Sequence, residues 1–187
     1  MPKNILVALA VTISFSASAA AQDERLETAS DIEVSTQYGL SYLDSVTLND
    51  NGSTLILDDV TTLDFGYIAE RELARDDTFS LSGALSAQAS FGEANDLKFN
   101  GLPTANEAEF RRLGGYADVI ARLEGETEYD LTPYVSVGAG VVQDRVSLDN
   151  QVYKDLSPVG RYRAGVEKKF NDKVTLGIGA GQSFKLD

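Results

Sequence analysis

From Asp77 to Gly92 the chain alternates without a break. Phe79, Leu81, Gly83, Leu85, Ala87, Ala89 and Phe91 fall on odd positions, and Ser80, Ser82, Ala84, Ser86, Gln88 and Ser90 on even ones. A period of two puts one apolar and one small polar face on opposite sides of a β-strand. Aromatic residues stand at both ends of the apolar face, with small residues between them. Strands that cross a bilayer as part of a barrel have this form: about 9 to 11 residues, apolar toward lipid, polar toward the lumen, with aromatic girdles.

The same pattern predicts six further strands. The first runs from about Ile32 to Val46, where Val34, Thr36, Tyr38, Leu40 and Tyr42 share a face. From Thr62, Leu63, Phe65, Tyr67 and Ala69 oppose Asp64, Gly66, Ile68 and Glu70. Farther on, Leu113, Gly115, Ala117, Val119, Ala121 and Leu123 form an uncharged face, opposed by Arg112, Gly114, Tyr116, Asp118, Ile120, Arg122 and Glu124. Tyr134 to Arg145 places Val135, Val137, Ala139 and Val141 together. Tyr162 to Phe170 and Val174 to Phe184 complete the set.

Between these strands, Asn49-Asp50-Asn51-Gly52 is a turn signal, because Asn and Gly tolerate positive φ. Ser53 to Thr61 is ambiguous between loop and hairpin. Glu93 to Glu109 and Ser147 to Ser157 read as long polar loops, whereas 74–77, 129–133 and 171–172 are short turns. Long and short connections alternate, as in outer-membrane barrels. The expected fold is therefore all-β: an antiparallel up-and-down transmembrane β-barrel of eight strands, with seven clearly read. An even number is needed for closure. Either Ser53 to Asp58 is the missing wall strand or a final strand lies beyond Asp187. The second is favoured, since the first would move the long loops to the short-turn side.

The amino terminus changes the picture only ahead of the strands. Lys3, the apolar run Ile5 to Phe15 and the small residues Ala19, Ala20 and Ala21 predict a signal peptide over 1–21, its apolar run being too short for a membrane helix. Residues 22–31 read as a polar lead-in, and 32–187 as the barrel domain. With no cysteine there are no disulfides. The net charge of -13 argues against a nucleic-acid partner. The absence of histidine removes Ser-His-Asp and Cys-His nucleophile systems and the common zinc sets.

Two segments resemble a known family. Leu131-Thr132-Pro133-Tyr134-Val135-Ser136-Val137-Gly138-Ala139-Gly140, and Arg163 to Glu167 leading through Asn171-Asp172-Lys173 to Leu176, are similar to the barrel domain of OmpA-like and opacity-type outer-membrane proteins. The resemblance implies an outer-membrane location, contact with outer-membrane lipid and lipopolysaccharide, and recognition by the barrel assembly machinery. An external partner would be reached through the long loops. The family's aromatic carboxyl-terminal residue is not matched by Phe184-Lys185-Leu186-Asp187.

The candidate functional residues form an interior polar network: Asp64, Glu70, Arg112, Asp118, Arg122, Glu124, Arg163 and Glu167. In a narrow eight-stranded interior, opposite charges pair and fill the lumen. A structural or surface-interaction role is expected, with no catalytic, metal or cofactor residues. A small channel lined by the same charges is the alternative. A soluble exported barrel that binds a ligand is a third reading, and it requires Leu81, Leu85, Val119 and Val137 to face inward. Asp44, Asp50, Asp58 and Asp59 read as a solvated acidic loop, with weak divalent-cation contact as the sharper version.

Overall fold

The computed structural model describes residues 6–18, 32–50, 52–94, 96–104, 108–124, 130–148, 151–171 and 174–186. The expected lead-in at 22–31 lies outside these residues. Every element among these residues is a strand: β1 Leu6–Ser18, β2 Ile32–Asp50, β3 Ser53–Arg75, β4 Phe79–Ala94, β5 Asp96–Phe99, β6 Leu102–Thr104, β7 Ala108–Leu123, β8 Leu131–Leu148, β9 Gln151–Asn171 and β10 Val174–Lys185. The seven strands expected from the alternation are β2, β3, β4, β7, β8, β9 and β10. All pair antiparallel with their neighbours in chain order, except where the β5–β6 hairpin leaves the wall and bonds to β3.

The nine strands from Ile32 onward form one open sheet. Its edges are β2 and β10, and these share no register with each other among the described residues. β1 lies between them. It pairs with β10 from Leu6↔Ser183 to Phe15↔Val174 and with β2 from Ala8↔Leu43 to Ser18↔Glu33. The bonding that links the two edges thus runs through the amino-terminal segment, not through residues 32–187 themselves.

That arrangement corrects the expected fold. An eight-stranded transmembrane barrel built by residues 32–187 is not what the chain forms, because those residues supply seven wall strands and leave two edges unbonded to each other. A sheet that spans hydrocarbon must close, and the residues expected to form the barrel do not close on their own: β2 and β10 are joined only through β1. The outer-membrane location, the lipid and lipopolysaccharide contacts and the barrel assembly machinery rested on that closure and are withdrawn with it. No helix among the described residues is long and apolar enough to cross a membrane. The channel reading falls too, since a conducting lumen needs a wall closed around it, and residues 32–187 do not close one themselves.

The two faces were read correctly in parity. Ser80, Ser82, Ala84 and Ser90 of β4 are buried, while Leu85 is 66% exposed; Tyr67 and Val137 are similarly exposed, at 65% and 63%. Val119 is also exposed. The ligand-binding barrel needed Leu85, Val119 and Val137 inside, and their exposure overturns it.

The expected loops differ most. Ser53 to Thr61 belongs to β3, Ser147 to Ser157 is largely strand, with β8 reaching Leu148 and β9 beginning at Gln151, and Glu93 to Glu109 contains the β5–β6 hairpin. These extensions build a core at one end of the sheet: Leu43, Val46, Leu48, Leu55, Leu57, Val60, Leu97, Phe110 and Val146 are all buried there. The inward parity changes at Asp59. On β3 the buried residues are even from Val60 to Ile68 but odd at Leu55 and Leu57; on β2 they change from Leu43 to Val46. Asp59 has φ 55°, and Asp44 and Asp59 are the two positions skipped in the β2–β3 register. A local left-handed residue re-aims everything beyond it, as a bulge does.

Candidate functional site

The concave face below this core is polar, and its chemistry follows from strand parity. Arg112, Tyr116, Asp118 and Arg122 alternate along β7; Ser136, Gly138, Gly140 and Asp144 along β8; Arg161, Arg163 and Glu167 along β9. The sheet is curled, so groups from strands that are not neighbours meet across this face.

Three charge groups result. Arg161 donates through Nε to Asp118 Oδ1 at 2.8 Å and through Nη2 to Asp118 Oδ2, and it also donates to Ser86 Oγ at 3.1 Å. Arg112 donates to Asp144 in a two-pronged fork, at 2.6 and 2.9 Å. Arg122 reaches Glu70 with two nitrogens and Glu167 at 3.1 Å, joining β3, β7 and β9. Forked guanidinium–carboxylate pairs supply fixed geometry as well as charge compensation. Burial works against the Arg122 charge, but the Glu70 hydrogen bonds and the charges of Glu167 and Glu70 outweigh it, so its pKa is raised.

Aromatic rings share the face. Tyr116 is buried, with the Arg161 guanidinium carbon 3.5 Å from its ring centroid, a cation–π stack. The strand opposite makes room for it. A Cβ at Gly140 would overlap the Tyr116 ring, and one at Gly138 would overlap the Asp118 carboxylate. Tyr134 uses Gly179 in the same way: a Cβ there would lie 2.5 Å from its hydroxyl oxygen. Burial pushes the phenols of Tyr116 and Tyr134 up, against the pull of the nearby arginines.

Between these groups is a cavity of about 120 Å³, bordered by Gln37, Asp64, Gln88, Arg112, Arg161 and Arg163. Arg163 donates to Ser136 Oγ at 3.2 Å, and Asp118, which Arg161 already holds, lies 3.7 Å from it. Burial, followed by the Arg161 charge, holds its pKa below the usual arginine value. Asp64 accepts hydrogen bonds from Ser41 and from Thr62, the latter at 3.0 Å.

All eight residues expected in the polar network carry inward parity, but the structure divides them. Arg122, Glu70 and Glu167 form one group. Asp118 and Arg163 belong with Arg161. Arg112 pairs with Asp144, and Asp64 is held by hydroxyls. Glu124 sits at the strand ends, accepting from Ser80 at 2.8 Å and from Arg75 at 3.2 Å. Arg161 and Asp144 were missed, although each continues the parity of a recognised strand and each is the counter-ion of a residue that was found. In the acidic loop, Asp58 pairs with Lys98 at 2.6 Å and Asp59 accepts from Tyr42. Among the described residues no group of three acids is arranged to hold a metal ion.

No protein-family model matches the chain, and no curated protein is significantly similar to it. The resemblance of residues 131–140 and 163–176 to OmpA-like and opacity-type proteins therefore finds no family match, and the open sheet corrects the architecture it implied.

Proposed function

We propose that this chain is a non-catalytic sheet protein that docks an apolar partner on its convex face, while the concave face fixes its shape. The observation that carries this reading is the inversion of polarity across one sheet. Asp118 and Arg161 are 4% and 6% exposed, whereas Leu63, Tyr67, Leu85, Leu113, Val135 and Val137 stand in the open on the other side. A contiguous apolar patch of that kind is a binding surface rather than a scatter of surface residues. On the concave face Asp118, Asp144, Glu70 and Glu167 are engaged by guanidinium groups and Asp64 by hydroxyls, so they are poorly placed to move protons in a reaction.

Light scattering of the purified full chain, with and without a mild nonionic detergent, tests the proposal. The expected result is self-association in plain buffer that detergent disperses, with bound detergent counted in the particle mass. Replacing Leu85, Val137 and Tyr67 by serine should reduce that uptake. A monodisperse monomer in plain buffer that takes up no detergent would overturn it.

A further inference from the structure

The unusual element is β1. It is inserted between two edges that are not otherwise paired, and it carries ten registered pairs to β10 and eleven to β2. At the end beyond Leu6 the edges approach without pairing as strands: Lys185 of β10 donates to the Thr47 carbonyl oxygen of β2 at 3.1 Å. The Lys185 side chain thus bridges the two edges at that end, and β1 fills the slot with about a dozen residues of extended chain. Edge strands left open are templates for another strand.

We infer that the space between β2 and β10 is a strand-acceptor site, and that Leu6–Ser18 is an exchangeable occupant that an extended segment of another polypeptide replaces. The occupant's chemistry is written in the register. Leu9, Val11 and Ile13 stand opposite Tyr42, Leu40 and Tyr38 of β2 and opposite Ala180, Ile178 and Leu176 of β10. Those neighbours belong to the apolar convex face, where Leu40 and Ile178 are exposed. Ala10 and Thr12 stand opposite Ser41 and Gly39 on one side and Gly179 and Gly177 on the other. Tyr134 already occupies the space above Gly179. An incoming strand must therefore be antiparallel to both neighbours, aliphatic at alternate positions, and limited to small residues between them. Main-chain bonding on both sides supplies affinity, and the alternation supplies specificity, as in β-strand addition generally.

Exchange is argued from the amino-terminal sequence. Ala19, Ala20 and Ala21 follow β1 directly and form the small-residue cleavage pattern of an exported leader. The inference rests on that leader reading for its physiological trigger, because cutting there detaches the occupant from the sheet it fills. It is independent of what docks on the convex face.

The chain has no cysteine, so two introduced ones report the site alone. A full-length Leu40→Cys chain with a protease recognition sequence inserted after Ala21 is folded, then cut, so that β1 is held only by its pairing. A synthetic peptide of the sequence Leu6–Ser18 with Val11→Cys is then added in excess under mild oxidation. The expected result is one peptide disulfide-linked per chain after cutting, and little before it. A peptide that also carries Leu9→Pro and Ile13→Pro should not link, since it loses ladder donors. The inference is overturned if the cut chain, its β3 and β4 amides still protected from exchange, fails to link the peptide. Equal linking of the proline peptide, or direct pairing of β2 with β10 after cutting, overturns it as well.

Discussion

Arg161 on β9 and Asp118 on β7 form a two-pronged ion pair across the concave face, with β8 lying between their strands. Each is nearly out of solvent, so each makes the other tolerable. Removing one partner of a buried pair strands the other charge, at about 3–5 kcal/mol, whereas replacing both by apolar groups of similar volume is far milder. Asp118→Ala should therefore lower the urea midpoint strongly, and Asp118→Leu with Arg161→Met should recover most of the loss. The second result separates charge burial from loss of packing. Equal destabilisation by the single and double variants would contradict it.

The space for Asp118 comes from the neighbouring strand. Gly138 is its register partner, and a Cβ there would overlap both the Asp118 carboxylate and the Ala117 carbonyl oxygen. Gly115, on the same sheet but with inverse parity, has nothing within 4 Å of a Cβ. Overpacking a filled site costs about 1–3 kcal/mol, against about 0.5 kcal/mol or less for an open surface site. Gly138→Ala should be clearly destabilising and Gly115→Ala close to neutral in the same denaturation assay.

Asp59 controls which residues of the β2–β3 hairpin face inward. With φ at 55°, it occupies a conformation that Asp and Asn tolerate better than most residues, glycine best of all, and β-branched residues worst. Asp59→Gly should leave stability within about 0.5 kcal/mol, while Asp59→Val should cost of order 1–3 kcal/mol in backbone strain. Loss of amide protection at Leu55 and Leu57 in the valine variant, with β7 and β8 unaffected, would locate the effect at the parity change. Uniform loss across the sheet would argue against it.

These sites show how far period-two reading reaches. It found the seven long strands and assigned Asp118, Arg122 and Glu167 to the inner face, because parity is local and each strand keeps it for many residues. It left Leu55 and Leu57 ambiguous between loop and hairpin because the alternation breaks at Asp59, and a single left-handed residue leaves little mark in composition. Arg161 and Asp144 were missed for a different reason: their significance lies in partners on other strands, so only the curl of the sheet reveals it. β1 was read as a leader on hydropathy. Its alternation of Leu9, Val11 and Ile13 with Ala10, Thr12 and Ser14 carries strand period as well, but nothing local says which edges it joins.

Tyr116 provides a pH test of the concave face. Burial raises its phenol pKa, and the positive charges of Arg112 and Arg161 only partly oppose that rise. An unfolded tyrosine ionises near pH 10. Below that pH both states are protonated and the contribution to stability is complete. As pH rises from about 10 toward the folded pKa, the unfolded chain loses its proton while the folded chain keeps it. Stability then falls by at most about 1.4 kcal/mol per pH unit for this one group. Tyr134 shifts in the same direction, again chiefly through burial. Urea midpoints between pH 9 and pH 11.5 should therefore decline for the native chain and decline less steeply for Tyr116→Phe, which keeps the ring beneath Arg161 but has no proton to lose. If the two slopes coincide, the phenol is solvated in the folded state, and the close stacking of Tyr116 under Arg161 is wrong.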